Sequence, residues 1–412
     1  MKINLVGLLF DRNMGDPLLF DCTKYLLNEV FHSCSKDSAT DSLVVEYTDF
    51  ERRLDFAPQK VMDFDEEPVL NESKSLVKSL LKYKVFGSLN NVRKYSKRCK
   101  YVKDSRQSLY RQELNRYYKE RFEGCDLVVI IGAGTLKYHV RMDFGNVYEP
   151  VIETCSDLNI PVVVSCVGVE SPYDRLDPRC TRLVKCLNKA NVKYITTRDG
   201  LSHLRPYIKR KGLMIDTCAD VGVYASQTYN VKKAKDSDVI GIGIITYKRF
   251  VEFAKGIAKE QYERIIFEII KVLEKRDKHW MFFNNGDNED ASYQKYLCTK
   301  WGYSTCKMMK TPESPRELVV NISKMGGVIT SRLHSCIVSY SLDIPYVAIA
   351  WNDKLYRFSE NIGRPDAVVG KNELNAENIV DLLERYQSAG YMKDARQAFL
   401  QTTYNCFKRY LF

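Results

Sequence analysis

The residues best suited to chemistry lie in one short stretch of the second half of the chain, from Gly327 to Ser335. Its first residues are apolar and indicate a buried strand, and Thr330 or Ser331 is typical of the N-cap of a following helix. Arg332 and His334 then fall in the first turn of that helix. The unpaired N–H groups of a helix start favour an anion. A guanidinium binds phosphate or carboxylate through two parallel hydrogen bonds, and an imidazole exchanges a proton near neutral pH.

Two interpretations of this stretch remain open on its own sequence. In the first, it is one corner of an active site that combines a strand end, an anion pocket and an acid or base. In the second, Arg332 forms a surface salt bridge and His334 fills a gap at the start of the helix. The two interpretations can be distinguished by whether other polar groups are predicted to lie near this stretch.

A second group of candidate residues follows the first apolar run of the chain. Asn13, Gly15 and Asp16 form a polar loop there. Asp16 is predicted to be the N-cap of the next helix, with Pro17 as its first residue. Strand, loop and helix make a βα unit, and open α/β sheets bind ligands at the carboxyl ends of their strands.

Other apolar runs also end in groups that bind ligands well. One run leads into a glycine-containing loop with Gly132, Gly134 and Thr135, where the backbone can approach a ligand closely. The dinucleotide fingerprint GxGxxG is not completed there, because Lys137 stands at its third glycine. Further candidates follow this loop and two later strands, and they are His139, Tyr138, Arg141, Arg198, Asp199, Trp351 and Lys354. His139 follows the glycine loop and is a candidate to face a cleft.

These stretches sit in an alternation of strands and helices that runs through both halves of the chain. The alternation predicts an α/β protein with two Rossmann-like domains, whose strand-end loops face each other across a cleft. We place an N-terminal domain at 1–226, with a basic helical insertion at about 57–122. A polar linker at 227–238 and a C-terminal domain at 239–412 follow. In the second domain, the spacing predicts one long helix over 253–275.

Composition excludes several classes of protein. The 412 residues are 45% hydrophobic and 28% charged, as in globular proteins with a polar surface. No apolar run reaches the roughly 18 residues of a membrane span, and the first residues read as a strand rather than a signal peptide. Thirteen cysteines without a CxxC pair indicate reduced thiols in a cytoplasmic protein. Five scattered histidines predict no metal site.

The net charge of +11 is concentrated in the insertion. Residues 72–121 hold fifteen Lys and Arg against four Asp and Glu, a surplus of eleven. These residues interleave with tyrosines and leave three interpretations open. They form solvated helices packed on the domain, or a basic surface that meets anionic lipid or a phosphate-bearing acceptor, or a site for single-stranded nucleic acid. No nucleic-acid-binding motif accompanies them, so we do not expect nucleic acid as a partner.

In this order along the chain, the motifs resemble those of the polysaccharide pyruvyl transferases. The resemblance spans nearly the whole chain. It rests on an N-x-G-D loop, a glycine-rich strand end, an R-D-x-x-S strand end, an acid that closes the first domain, an R-L-H helix start and a lysine after the next strand. Their residues are Asn13, Gly15, Asp16, Gly132, Gly134, Leu136, Arg198, Asp199, Ser202, Asp220, Arg332, Leu333, His334 and Lys354. Ala133 stands where the family usually has the middle glycine of three, and the basic insertion is not part of the pattern.

The resemblance implies a fold like that of GT-B glycosyltransferases, and a reaction that moves pyruvate from phosphoenolpyruvate onto two hydroxyls of a sugar as a ketal. The donor carries a carboxylate and a phosphate, so it needs two cationic anchors. Arg332 with the helix start supplies one, and Arg198 or Lys354 the other. His334 is the candidate acid or phosphate ligand. The helix start lowers its pKa, whereas a bound phosphate raises it.

For the proton of an acceptor hydroxyl, Asp16 and Asp199 are both candidate bases, with loop-holding roles as their alternatives. The glycine loops, Ser331 and His139 complete the predicted substrate site, and Tyr138, Arg141 and Trp351 are the candidate contacts to sugar. The implied chemistry needs neither a metal nor a cofactor. The acceptor is expected to be a sugar or a lipid-linked oligosaccharide, with the protein in the cytoplasm or at the inner face of the membrane. Two other functions remain open: a GT-B sugar transferase that uses a nucleotide sugar, and a non-catalytic partner in an assembly at the membrane surface.

Overall fold

The computed structural model describes residues 1–34, 42–56, 87–138, 143–254 and 256–411. His139 and Arg141 therefore lie outside the described residues, as does the part of the insertion before Gly87. Within these ranges, no helix is both long and apolar enough to cross a membrane.

The first half of the chain forms a parallel sheet of six strands in the order β2-β1-β3-β4-β5-β6. Their bounds are Lys2–Gly7 (β1), Val44–Asp49 (β2), Leu127–Leu136 (β3), Val162–Val169 (β4), Val192–Thr197 (β5) and Met214–Thr217 (β6). The central strands β3 and β4 are apolar and buried along almost their whole length. Such runs are required because helices cover both faces of a parallel sheet.

Helices of this half connect the strands and include the described part of the insertion. They are Gly15–Cys34 (α1), Gly87–Gln107 (α2), Leu109–Phe122 (α3), Gly145–Asp157 (α4), Pro178–Leu187 (α5), Leu201–Leu204 (α6) and Ala225–Tyr229 (α7). In the insertion, α3 buries Leu114, Tyr118 and Phe122 against the domain. The described part of the insertion is thus helical and packed on the first domain, and α2 carries most of its exposed lysines.

The second half forms a parallel sheet of five strands in the order β11-β10-β9-β7-β8. They span Ile240–Gly243 (β7), Trp280–Phe282 (β8), Gly327–Thr330 (β9), Tyr346–Ile349 (β10) and Val368–Val369 (β11). Its helices are Tyr247–Phe253 (α8), Lys259–Lys275 (α9), Asn288–Lys300 (α10), Pro315–Ser323 (α11), Leu333–Ser341 (α12), Asp353–Asn361 (α13), Ala376–Ala389 (α14) and Lys393–Leu411 (α15). Two parallel α/β domains are therefore confirmed.

Two predicted helix starts are wrong. The single helix over 253–275 is interrupted, because Gly256 has a φ of +89° and Ala258 becomes the N-cap of α9. Helix α1 begins at Gly15, so Asp16 lies in its first turn instead of capping it. The turn closes when the Asp16 amide donates to the Asn13 carbonyl at 2.9 Å.

The last helix of the chain packs against the first domain, although the sequence division places it in the second. The Thr403 hydroxyl of α15 accepts a hydrogen bond from the Ala219 amide at 2.7 Å. Farther along, the Cys406 thiol donates to the Thr217 carbonyl, and Arg409 pairs with Asp216. The two sheets are also joined by one hydrophobic cluster, which includes Leu18 of α1 and Ile337 of α12. These contacts hold the strand-end loops of both domains face to face.

The end of β3 contains a strained residue. Ala133 has a φ of +67°, and Cys166 in the adjacent strand β4, one residue before the sheet partner Val167, has a φ of +54°. The left-handed region costs an L-residue about 1–2 kcal/mol relative to the right-handed helical conformation. The chain therefore keeps the conformation that glycine favours while carrying alanine, which is the residue that departs from the family pattern.

We expect Ala133→Gly to raise the free energy of unfolding by about 1 kcal/mol, because glycine adopts this φ without strain. Urea unfolding of the purified protein measures the change. Ala348→Gly is the matched control, since Ala348 is buried in β10 with φ outside the left-handed region. That variant should lose about 1 kcal/mol. Equal destabilisation by both variants would contradict the assignment of strain to Ala133.

Candidate active site

The helix that carries the predicted acid begins later than the sequence suggests. Arg332 occupies the N-cap position of α12, and no side chain caps the helix. Thr330 is not the cap, because its hydroxyl donates to the Gly243 carbonyl at 2.7 Å and accepts from the Arg332 amide at 3.1 Å. Of the two predicted residues, His334 therefore lies in the first turn, and Arg332 precedes it at the N-cap.

His334 is buried where the two domains meet, with 6% of its surface exposed. Gly15, at the start of α1 in the first domain, packs directly on the ring, and a β-carbon at Gly15 would overlap the imidazole around Nδ1. The other ring nitrogen, Nε2, is buried without a hydrogen-bond partner among the described residues. Buried polar atoms in proteins are nearly always paired, so an unpaired one points to a ligand.

Burial lowers the pKa of His334 to about 3. The positive charges of Arg198, Lys354 and Arg332 lower it further, and the carboxylate of Asp220 opposes them. The helix start predicts a lowered pKa for His334, but desolvation between the domains is the larger cause. The imidazole is consequently neutral at pH 7 in the protein without substrate.

Arg332 forms a buried network within the second domain. Its Nε donates to Asp290 Oδ2 at 2.6 Å, and its Nη2 lies 3.1 Å from Asp287 Oδ2. The surface salt bridge considered from the sequence is therefore wrong, since the pairs are buried. Burial raises the pKa of Asp290 to about 6, although Arg332 opposes the shift. The network fixes the loop after β8 beside the start of α12.

Arg198 and Asp199, at the carboxyl end of β5, have different environments. The buried Arg198 guanidinium pairs with Asp220 in the same domain. The Asp199 carboxylate accepts from the Val169 amide at 2.7 Å and pairs with Arg357 of the second domain at 3.1 Å. Both residues line the cavity between the domains, and Asp199 also joins the two domains through Arg357.

One face of α13 contacts the strand ends of the first domain. Lys354 Nζ lies 3.5 Å from Glu170, Arg357 donates to the Val169 carbonyl at 3.2 Å, and the Asn361 amide donates to the Arg198 carbonyl at 3.1 Å. Burial by itself would raise the pKa of Glu170, but Lys354, Lys137 and Arg198 outweigh it and lower the value to about 2. The sheet-end carboxylate of Glu170 is therefore ionised between two lysines.

The loop after β1 is attached to the second domain through its backbone. The Met14 amide donates to the Asn285 carbonyl at 2.7 Å. Next to it, the Asn13 side chain donates to Asp16 Oδ2 at 3.2 Å. Burial and the neighbouring Asp11 raise the pKa of Asp16 to about 7, while Lys354 and Arg198 oppose the shift. The surroundings of Asp16 therefore bring its pKa close to neutral pH, near the charges of Lys354 and Arg198.

The residues of the glycine loop at the end of β3 face different regions, some toward the cleft and some into the core. Gly134 packs against the Glu170 carboxylate, and a β-carbon at this position would overlap that carboxylate. Gly134 therefore lies beside the cation cluster, the group of Lys354, Lys137 and Arg198 around Glu170. Gly132 lies against the Cys166 carbonyl of the neighbouring strand. Thr135 points into the core, where its hydroxyl shares a 2.7 Å hydrogen bond with Tyr148. The geometry thus favours Gly134 over Thr135 as a group that faces substrate.

The predicted sugar contacts Tyr138 and Trp351 lie in different surroundings, and Ser331 contacts the second of them. Tyr138 is buried and donates to the Pro172 carbonyl within the first domain. The Trp351 indole donates to the Ser331 carbonyl at 2.7 Å, and its ring lies 5.1 Å below Lys354 Nζ. Trp351 therefore reaches the cation cluster, and Ser331 supports it through the backbone.

A small cavity separates the two domains at this cluster. It holds about one water-sized sphere. Its polar lining comes from Arg198, Asp199, Asp220, Lys354 and Asn361, and its apolar lining from Leu333, Ile337, Phe358 and Phe399. A substrate of several heavy atoms enters only if the domains separate, so the described conformation is closed.

Sequence reasoning missed several partners of the predicted residues, namely Glu170, Asp287, Asp290, Arg357 and Asn361. The spacing of Lys354, Arg357 and Asn361 places them on one helix face and was a readable signal. Glu170 and the two aspartates carried none, because their partners are 28 or more positions away in the sequence, as for Glu170 with Arg198 and Asp287 with Arg249.

Comparison with known proteins adds to this geometry. The family model of the polysaccharide pyruvyl transferases matches residues 13–353. The chain belongs to this family. The match begins at Asn13 and includes every predicted site residue except Lys354, which stands one position beyond its end. Among the curated proteins compared, none matches the chain.

Solved structures of similar fold are UDP-GlcNAc 2-epimerases. The enzyme of Neisseria meningitidis, bound to UDP-GlcNAc, is 11% identical, with a TM-score of 0.52 and coverage of 100% of both chains. That of Methanocaldococcus jannaschii is 12% identical, with a TM-score of 0.51 and coverage of 93% of this chain and 92% of the other. At this identity the likeness shows the fold alone, so this pyruvyl transferase family member has a GT-B-like architecture.

The contact between Gly15 and His334 can be tested by a double-mutant cycle. We expect Gly15→Ala to destabilise the protein by about 1–3 kcal/mol, because the added methyl overlaps the imidazole. In a His334→Ala background the same change should be close to neutral. Urea unfolding of the four proteins gives the coupling energy. A coupling near zero would show that the two residues are apart in solution.

The lowered pKa of His334 predicts a pH-dependent stability. Between pH 6.5 and 3 the unfolded chain binds a proton on this residue and the folded chain does not, so stability falls as pH drops below about 6.5. Between pH 7.5 and 5, the stability of the wild type relative to His334→Gln should fall by about 2 kcal/mol. Urea midpoints at pH 7.5, 6 and 5 measure this. His32→Gln, at an exposed histidine, should run parallel to wild type.

Proposed function

We propose that this family member transfers the pyruvate of phosphoenolpyruvate onto two hydroxyls of a sugar and forms a ketal. The observation that carries the proposal is the unpaired Nε2 of His334, buried at the domain interface among the charges of Arg198, Lys354 and Arg332. A neutral imidazole among three cations suits a ligand that brings two negative groups and a carbon to be protonated.

The cations of the site differ in how they are paired, which suggests how a donor anion is bound. Arg198 and Arg332 pair with carboxylates of their own domain, and domain separation leaves those pairs intact. Lys354 pairs with Glu170 across the interface, at 3.5 Å. When the domains separate, Lys354 loses Glu170 and becomes available to a phosphate or carboxylate. Arg198 and Arg332 then serve as fixed positive charges around the bound donor.

His334 is our candidate acid for the methylene carbon of the donor. Without substrate its lowered pKa keeps it neutral. A bound donor adds up to three negative charges next to the ring, and nearby anions raise the pKa of an imidazole. The donor therefore supplies the charge that makes His334 able to protonate it, which limits proton transfer to the occupied site.

Asp16 is our candidate base for an acceptor hydroxyl. Its pKa of about 7 lies near the working pH, where a general base is effective. Asp199, the alternative considered from the sequence, is held by the Val169 amide and Arg357. The contacts of the two carboxylates therefore favour Asp16 as the base and Asp199 as a residue that positions α13.

The atoms of the reaction balance without a further reactant. The methylene carbon gains a proton and becomes a methyl group, and the central carbon forms two C–O bonds to the acceptor hydroxyls. The C–O bond to phosphate breaks, and inorganic phosphate leaves. Of the two hydroxyl protons, one balances the proton on the methyl group and the other leaves with phosphate.

The experiment supplies phosphoenolpyruvate and a panel of free and lipid-linked glycan acceptors, and measures phosphate release together with product mass. We expect His334→Ala to lose transfer while keeping its fold. Arg332→Lys should be nearly as inactive, because an ammonium cannot hold Asp290 and Asp287 together as the guanidinium does and so cannot keep the charge in the same place. His279→Ala, at an exposed histidine paired only with Asp238, is the matched control and should keep wild-type turnover.

Ligand-dependent thermal shifts separate the proposal from its main alternative, a sugar transferase that uses a nucleotide sugar. Phosphoenolpyruvate should raise the melting temperature, and nucleoside diphosphates should not. Consumption of a nucleotide sugar with no pyruvyl ketal from any acceptor would overturn the proposal. Wild-type turnover by His334→Ala would remove this residue from the mechanism.

A further inference from the structure

Helix α2 of the insertion presents a basic outer face that the transfer reaction does not use. We propose that this face binds the anionic surface of a lipid bilayer and holds the cleft beside the membrane. The proposal does not rest on the identity of the donor, since it concerns a surface outside the site.

The charge on this face is exposed and unpaired. Lys94, Lys97, Lys100 and Lys103 are all exposed, and no ion pair is recorded for them among the described residues. A spacing of three residues turns each successive lysine by about 60° around the helix, so the four cover about half of its circumference. On the opposite side, Arg98 and Arg106 pair with Asp177 and Glu149 of the domain. The helix therefore separates structural arginines from free lysines.

Apolar groups accompany the lysines. Tyr101, 43% exposed, lies between Lys94 and Lys97 around α2, and its hydroxyl accepts from Asn146 at 2.8 Å. Tyr95, 51% exposed, lies on the arginine side of the helix. Leu176, which adjoins the Asp177 that Arg98 contacts, is 69% exposed, and Arg175 beside it is exposed too. Tyrosines are enriched at the interface between lipid and water, where lysines meet anionic headgroups. The combination fits a bilayer surface better than a purely polar anion.

The helix lies on the cleft side of the first domain. Arg98 contacts Asp177 at 2.8 Å, and Ser105 accepts from Arg182 at 2.9 Å, so α2 runs parallel to α5. Asp177 is the N-cap of α5 and follows the carboxyl end of β4. Residues before Arg98 therefore extend toward the strand ends that form the cleft. A membrane bound here would lie next to the site and within reach of a lipid-linked acceptor.

Shape favours a bilayer over a nucleic acid. Proteins that bind single strands without sequence preference use a positively charged groove with aromatic stacking platforms. The four lysines instead occupy the convex outer face of a single helix. A flat anionic surface faces Lys97 and Lys100 directly, and the long side chains of Lys94 and Lys103 can reach it from the two flanks of the helix, which makes a bilayer the better match.

Sedimentation with vesicles tests the proposal. The full chain is mixed with vesicles of phosphatidylcholine alone or with one third phosphatidylglycerol, at 0.05, 0.15 and 0.5 M salt. We expect binding to the anionic vesicles only, weakening as salt rises. The quadruple variant Lys94→Glu, Lys97→Glu, Lys100→Glu, Lys103→Glu should bind about 1000-fold more weakly, since each lysine near the surface contributes roughly fivefold.

The matched control reverses four other exposed lysines and reaches the same net charge. These are Lys211, Lys232, Lys233 and Lys235, which lie outside α2. This variant should keep most of the binding, and thermal unfolding shows that both variants fold. Leu176→Ser should weaken binding at 0.5 M salt more than at 0.05 M, because apolar insertion persists when charge is screened.

Three results would overturn the proposal: equal binding by wild type and the α2 variant, equal loss in both quadruple variants, or binding to single-stranded nucleic acid without binding to anionic vesicles. The second result would show a general charge effect instead of a surface on α2. Transferase assays of the α2 variant on a free glycan keep this test separate from the reaction, because turnover there should be unchanged.

Discussion

The active site depends on the burial of one uncharged imidazole between two domains. His334 gains its low pKa because α1 packs over it, and that packing is close only because Gly15 has no side chain. A charged imidazole in the same place would face three cations and little water. Burial between the domains and neutrality of the imidazole therefore go together.

The ion pairs around this histidine divide into two kinds. Arg198 with Asp220 and Arg332 with Asp287 and Asp290 lie inside single domains and are set when each domain folds. The pairs of Lys354 and Arg357 cross the interface and exist only in the closed form. Buried charges cost desolvation energy unless they are paired, so the intradomain carboxylates keep the fixed cations tolerable without substrate. The interdomain carboxylates give way when the domains open.

The architecture could be predicted from the sequence to a large extent, because continuous apolar runs and their periodicity are local signals. The position of His334 in a first turn was also local. Glu170 was not, because its role comes from Lys137 and Lys354, and the pairing with Lys354 spans 184 positions. The helix predicted over 253–275 failed at Gly256, where one positive φ outweighed the apolar repeat. Periodicity reports which face is buried, but it does not report which distant charges meet there.

The same distinction explains why the sequence leaves both Asp16 and Asp199 as candidate bases, whereas their contacts in the structure differ. Both are acids at strand ends, and nothing local ranks them. In the fold, Arg357 and the Val169 amide hold the Asp199 carboxylate in place, so its contacts are those of a residue that positions α13. Asp16 keeps a single side-chain donor, Asn13, and its surroundings raise its pKa toward neutrality. A general base needs a pKa near the working pH, which is why the proposed mechanism gives this role to Asp16.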